Sequence, residues 1–206
     1  DTGRAAGRSG VGAVMGSKKL KAVVVKGTAT VPMADPEAVR QLRRKYLRQP
    51  TGFYPILHEF GTLGITADSA ISGDSPVKNW GGAGPVDFPQ AKEQFKDTLL
   101  RDKFEKRKYP CWKCNIGCGG WMEVDEGTYA GTKTHKVEYE TAASFGSLAL
   151  NDDFASIVKA NDVVNRMGLD SISAPCAVAF AIECFENGIL TRADTGGLEL
   201  TWGNHA

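Results

Sequence analysis

No apolar run in the 206 residues approaches the roughly 20 that span a bilayer, so membrane insertion is not expected. Neither charge is in excess: 25 lysines and arginines face 24 aspartates and glutamates, a formal charge of +1. That balance leaves no electrostatic footprint for nucleic acid or an anionic lipid surface, and neither is expected as a partner. No internal repeat and no basic-then-apolar leader is visible. The 24 glycines cluster in short groups without a period, which excludes collagen-like structure. What is present, 42% hydrophobic and 24% charged residues, suffices for a packed core and excludes wholesale disorder. Both ends read as cuts: a glycine-rich turn begins at Asp1 with nothing to turn from, and Thr201 to Ala206 stop without closing an element.

The pattern predicts a mainly α architecture with a short β and glycine-rich N-terminal part. A β-branched run over residues 21–26 reads as a strand. Asp35-Pro36-Glu37 starts a helix whose apolar face carries Val39, Leu42 and Tyr46. Residues 52–89 hold many of the Gly, Ser and Pro residues, with Trp80 to Pro85 reading as a loop, and residues 90–107 read as one solvated amphipathic helix. Two helices are best defined. Asp152 or Asp153 caps the first and Gly168 ends it; the second runs from about Ser173 to Asn187, with Pro175 in its first turn and Gly188 as its stop. The second is apolar nearly all round and should be buried.

The strongest chemical signal is Cys111, Cys114 and Cys118, with Gly117, Gly119 and Gly120 around them. The spacing lets three sulfurs turn inward from one loop, where they repel one another unless a metal centre neutralises them. Four readings remain: an iron–sulfur cluster, a structural zinc, disulfides, and unmetallated core cysteine. Five cysteines is an odd number, which weakens the disulfide reading. A fourth ligand is unaccounted for; Cys176 and Cys184 suit core packing, and His135 in a polar stretch is either that ligand or, as is more common, simply exposed.

Three further segments carry candidate chemistry. Gly7-Arg8-Ser9-Gly10-Val11-Gly12, continuing to Lys18, fails the P-loop order and lacks the strand that precedes a dinucleotide fingerprint. It remains either an oxyanion cradle beside Arg4 and Arg8 or a glycine turn packed on a neighbouring helix. Asp170, in the joint between the two late helices, caps the second one or joins Asn165 in binding a ring. Glu138 and Glu140 share a face if extended, and are a solvated pair or include a buried general base.

In combination these segments resemble the tungsten-containing aldehyde ferredoxin oxidoreductase family. The likeness rests on Gly7 to Ala22, the three-cysteine array, Glu138-Tyr139-Glu140-Thr141, Asn165 to Asp170, and Gly197 to Asn204, in the family's order. It implies that residues 1–30 end an N-terminal pterin domain and that residues 31–206 are most of a helical second domain. It implies a tungsten, or molybdenum, held by two pyranopterins, a [4Fe–4S] cluster, and Mg2+ bridging the pterin phosphates. Cys111, Cys114 and Cys118 match three cluster ligands, the fourth lying beyond Ala206. Arg4, Ala5, Gly7 and Arg8 match the phosphate approach; Asn165, Gly168, Leu169 and Asp170 match the first pterin motif, with Asn165 where the family commonly has Asp. Glu140 matches a glutamate beside the metal, whereas a second pterin motif and a catalytic histidine belong to a further C-terminal domain. The implied protein is a cytoplasmic, anaerobic enzyme oxidising a small aldehyde to a carboxylate. Its electrons pass to ferredoxin or an electron-transfer subunit, and its oligomeric state, a homodimer included, is open. A relative with another substrate, such as the tungsten subunit of a benzoyl-CoA reductase, and a zinc-stabilised helical binding module are the alternatives.

Overall fold

The computed structural model describes residues 6–48 and 51–205. Helices α1 (Val11–Ser17) and α2 (Pro36–Arg48) come first, joined by an irregular stretch. The strand expected over residues 21–26 does not form, and Val23, Val24 and Val25 are 70%, 91% and 85% exposed. A β-branched run makes a strand only where a neighbour receives its backbone hydrogen bonds, and no described residue does so here. Asp35 caps α2 as expected, its Oδ1 accepting the N–H groups of Glu37 and Ala38 at 3.0 and 2.9 Å.

Residues 52–89, for all their glycine, serine and proline, are largely helical outside the turn at residues 78–83. They form α3 (Tyr54–Phe60), a 3₁₀ turn (Gly61–Ile65), α4 (Thr66–Ser72) and the short α5 (Gly84–Asp87). Pro55 and Pro85 sit in first turns, where a missing N–H is harmless, so these residues punctuate short helices rather than build one loop. The single helix expected over 90–107 is broken as well, into α6 (Ala91–Gln94) and α7 (Asp97–Phe104). The bend lets Phe95, Leu100 and Phe104 all point into the core, while Lys96 adopts an extended conformation to start α7. Past Phe104 the chain becomes β1 (Glu105–Tyr109), the edge of an antiparallel sheet with β2 (Gly119–Glu123) at its centre and β3 (Lys133–His135) beyond. Lys108 lies opposite Gly120 and Trp121 opposite His135.

Three helices complete the fold: α8 (Tyr139–Phe145), α9 (Phe154–Met167) and α10 (Ser173–Glu186). The boundaries of α9 follow the sequence reading. Asp153 Oδ1 accepts the Ser156 N–H at 2.9 Å, and Gly168 closes the helix in the left-handed region at φ 70°. By contrast α10 is buried on one side only, through Pro175, Ala179, Ile182 and Cys184, while Val178 and Phe180 are exposed. Its all-round apolarity therefore overstates its burial among the described residues. Among them, no helix is long and apolar enough to cross a membrane.

The core lies where α4, α6, α7, α8, α9 and the sheet meet. Phe88, Phe95, Phe104 and Phe154 form its aromatic centre, with Phe95 5.6 Å from Phe88 and 6.0 Å from Phe154 between ring centroids. Leu100, Met122, Val137, Ile157 and Val158 fill the spaces around them. Because Phe95 is wholly buried, Phe95→Ala is expected to lower unfolding free energy by about 3–5 kcal/mol in denaturant titrations. A loss below about 1 kcal/mol would mean that this aromatic centre does not hold the fold.

Candidate functional site

The turn from β1 to β2 carries all three clustered cysteines, so the pairing of these strands decides where the sulfurs stand. Cys111 is exposed, and Cys114 and Cys118 are half-buried. The Cys114 N–H donates to Cys111 O at 3.0 Å, closing the first turn of the loop. Backbone N–H groups of Gly117 and Ile116 point at the Cys114 sulfur and hold its pKa below the usual thiol range. Burial pushes the Cys118 thiol up, and negative charge on Glu138, Cys111 and Cys114 adds to the effect. The three thiols therefore feel one another, which is the repulsion the spacing implied. From α3, Tyr54 Oη donates to Asn115 O at 3.1 Å, and His58 Nδ1 lies 2.7 Å from Ile116 O.

Of the three glycines expected to curl this loop, Gly117 does so at φ 65°, whereas Gly119 and Gly120 are strand residues of β2. Nor is His135 exposed: it stacks on Trp121 at 4.2 Å, and its Nδ1 lies 2.6 Å from Tyr109 Oη. Among the described residues no three His, Cys, Asp or Glu side chains converge closely enough to hold one metal ion. Three thiols with backbone N–H groups directed at one of them do fit a larger, thiolate-held anionic group.

A second face forms at the joint between α9 and α10. The glycine segment is seated there: a Cβ on Gly7 would lie 2.4 Å from Asp170 Cα and 2.5 Å from Asp170 N, so only glycine allows this approach. Arg8 Nε stands 3.5 Å from Asp170 Oδ1. The segment is therefore a glycine turn packed on a helix joint, with one arginine directed at the joint's carboxylate. Much of the remaining glycine stretch is helix α1 rather than open loop. Arg4 and Ala5 lie outside the described residues.

Asp170 caps the second helix, its Oδ2 accepting Ser173 N–H at 2.9 Å and Ser173 Oγ–H at 2.6 Å. Burial alone would raise this carboxyl, but the bonds from Ser173 and the attraction of Arg8 outweigh it and hold its pKa below the ordinary range. Asn165 turns back along α9, its Nδ2 donating to Asn161 O and Oδ1 at 2.8 and 3.0 Å. Gly168 is the left-handed joint residue, and Leu169 is 52% exposed.

The two glutamates are not in a strand: Glu138 is the N-cap of α8 and Glu140 lies in its first turn, exposed. The expectation of a buried glutamate is therefore not met at Glu140. Glu138 is half-buried, and its Oε2 accepts Thr62 Oγ1–H at 2.6 Å. Thr141 Oγ1 lies 2.7 Å from Ser171 Oγ, which ties the first turn of α8 to the helix joint. Cys176, expected in the core, is only half-buried; burial raises its thiol, and the charges of Asp170 and Glu140 add to this. So Gly7, Arg8, Asp170, Glu140 and Cys176 share one face, and the chain of contacts through Thr141 and Ser171 is what sequence reading missed.

Removing the cap in Asp170→Ala is expected to cost about 1 kcal/mol near neutrality. A carboxyl with a depressed folded-state pKa stabilises above its unfolded value and loses that contribution as pH falls through the folded value. Denaturant titrations of the native and variant proteins should accordingly converge in strong acid. A gap that widens on acidification would contradict the assignment.

Comparison with known proteins identifies the family. The family model for domains 2 and 3 of aldehyde ferredoxin oxidoreductase matches residues 37–206, and that for the family's N-terminal domain matches residues 1–27. A tungsten-containing aldehyde ferredoxin oxidoreductase of Pyrococcus furiosus is 37% identical over 211 residues, 99% of this chain and 33% of that protein. The protein of the same name from Thermococcus kodakarensis gives the same identity and coverage. An aliphatic sulfonate oxidoreductase, WOR-like subunit, of Pyrococcus furiosus is 30% identical over 202 residues, 97% of this chain and 31% of that protein. The chain spans about a third of the length of the curated relatives it matches. With a family model over most of its residues and these identities across nearly its whole length, the chain belongs to the aldehyde ferredoxin oxidoreductase family.

Proposed function

We propose that the whole protein is a tungsten pterin oxidoreductase that oxidises an aldehyde, with water, to a carboxylate and passes the electrons to ferredoxin or an electron-transfer subunit. In this reading Cys111, Cys114 and Cys118 supply three thiolates to a [4Fe–4S] cluster. Arg4, Ala5, Gly7 and Arg8 approach the pterin phosphates and their Mg2+, and Asn165, Gly168, Leu169 and Asp170 contact the pterin. Glu140 orients or deprotonates the substrate beside the metal. The pterin-bound metal supplies two-electron chemistry, and the cluster single-electron relay.

The observation that carries this reading is the position of the first turn of α8 between the two faces. Glu138 acts electrostatically on Cys118, and Glu140, two residues on, acts on Cys176 together with Asp170. A cluster and a pterin held at these faces would have a short protein path between them. What this chain does for the reaction is positional. Gly7 lets a backbone segment lie against the helix joint, Arg8 supplies a positive charge there, and Gly117 and Ile116 direct N–H groups at a sulfur.

A second reading concerns the substrate alone and is supported by the 30% identity to the aliphatic sulfonate oxidoreductase subunit. Assays of the anaerobically purified whole protein with short aldehydes and with an alkyl sulfonate separate the two. Aldehyde-dependent reduction of a viologen dye supports the first; turnover of the sulfonate alone supports the second.

The two faces should be separable by metal analysis. Cys114→Ser is expected to lose most of the iron, with the visible absorbance of the cluster. Gly7→Val, which drives a side chain into Asp170, is expected to lose most of the tungsten or molybdenum while retaining iron. Wild-type protein with neither iron nor a group-six metal would overturn the proposed function.

A further inference from the structure

One buried ion pair is used by nothing described so far. Lys136 Nζ lies 2.8 Å from Glu105 Oε2, with the two side chains only 1% and 6% exposed. Both residues belong to the framework that displays the cysteine loop. Glu105 opens β1 beside its irregularity in register, and the Lys136 N–H donates to Gly120 O at 2.7 Å, just past β3. The Lys136 side chain then runs back toward the loop. A Cβ placed on Gly61 would lie 2.9 Å from Cys118 O and 3.2 Å from Lys136 Nζ, so one small gap separates the ammonium from the cysteine's carbonyl. Gly61 holds that gap open at φ 69°, where a side chain would be both strained and crowded.

Stability alone is a poor account of this pair. Removing two charges from water costs several kcal/mol each, and apolar replacements of buried ion pairs are often neutral or stabilising. A fixed charge in a low-dielectric interior, in contrast, acts strongly on whatever charge changes nearby. The positive end of the pair lies across the Gly61 gap from the Cys118 carbonyl, while the Glu105 carboxylate lies toward the Gly120 side, its Cδ 3.5 Å from a Cβ placed there. The potential of a thiolate-held cluster follows net charge, hydrogen bonding and exposure around its ligands.

We infer that Lys136, fixed by Glu105 and spaced by Gly61, is a positioning residue that sets the reduction potential of the iron–sulfur group held by Cys111, Cys114 and Cys118. The inference rests on the cluster reading above and goes beyond it. An ammonium beside the Cys118 backbone favours the form carrying one more electron, so its loss should make the cluster harder to reduce.

The test uses the whole protein purified without air, with the cluster titrated by EPR against potential. Lys136→Met/Glu105→Gln removes both charges of the pair together, so neither is left facing the other's uncharged replacement, and denaturant titration of this variant checks that the fold survives. The reduced-to-oxidised ratio at a fixed potential should fall about tenfold, equivalent to about 59 mV for one electron. Lys136→Arg keeps the charge and should stay within about threefold of the native ratio, or about 30 mV. Both variants should hold native amounts of iron. A double variant with full iron and an unmoved potential overturns the inference and leaves the cluster reading standing. A Lys136→Arg potential shifted as far as that of the double variant also overturns it, since charge would then not be the cause. Wild-type protein without iron overturns the cluster reading and the inference together.

Discussion

Pairing between β1 and β2 is the constraint on which the chemistry of this chain depends. The three thiols sit in one connection, and its two ends are fixed by the ladder that sets Lys108 opposite Gly120 and Tyr109 opposite Gly119. A loop of this composition would have little reason to hold one shape in isolation, because its cysteines repel once ionised. The ladder brings its ends together, while α3 braces its middle through Tyr54 and His58. The sheet in turn needs α9 behind it, and Asn161 supplies a direct link, its Nδ2 donating to His135 O at 3.0 Å. Sulfur position, strand register and helix packing are therefore one problem for this sequence.

The second face obeys a different constraint, close backbone approach. Segments more than 160 positions apart meet because Gly7 has no side chain and Asp170 is held by Ser173. The same carboxylate thus ends a cap and faces an arginine. The capping and ring-binding readings of Asp170 are not rivals, since the cap pins the carboxylate that Arg8 approaches. The contest between an oxyanion cradle and a packed glycine turn has a similar outcome. Packing is what is seen, and it delivers Arg8 to the joint.

Legibility in the sequence tracked how local the cause was. Caps and stops at Asp35, Asp153, Gly168 and Gly188 depend on a few neighbouring residues, and those helices fall where the pattern put them. The three-stranded sheet did not show. Its strands are short and carry Glu105, Lys106, Arg107 and Lys108, a run that reads as helix surface until a partner strand is known. The reverse error occurred at Val23 to Val25, where propensity for a strand met no partner among the described residues. Cys111, Cys114 and Cys118 were readable from spacing alone, because a loop motif carries its own geometry. Cys176 and Lys136 were not, because what distinguishes each is a neighbour far away in sequence.

The first turn of α8 is where these separate causes combine. Thr141, Ala142, Ala143 and Ser144 are buried, so this helix cannot shift without disturbing the core. Its N-cap, Glu138, is held by Thr62, whose Oγ1 also accepts the Tyr139 N–H at 2.9 Å. Glu138 then acts on Cys118 and Glu140 on Cys176, so one short rigid element is in electrostatic contact with both faces. Glu138 opposes added negative charge at Cys118, and the Lys136 ammonium lies across the Gly61 gap from the Cys118 carbonyl. On the proposed cluster reading, the cysteine loop would stand between fixed charges of opposite sign, and their balance rather than either alone would govern how readily it accepts an electron.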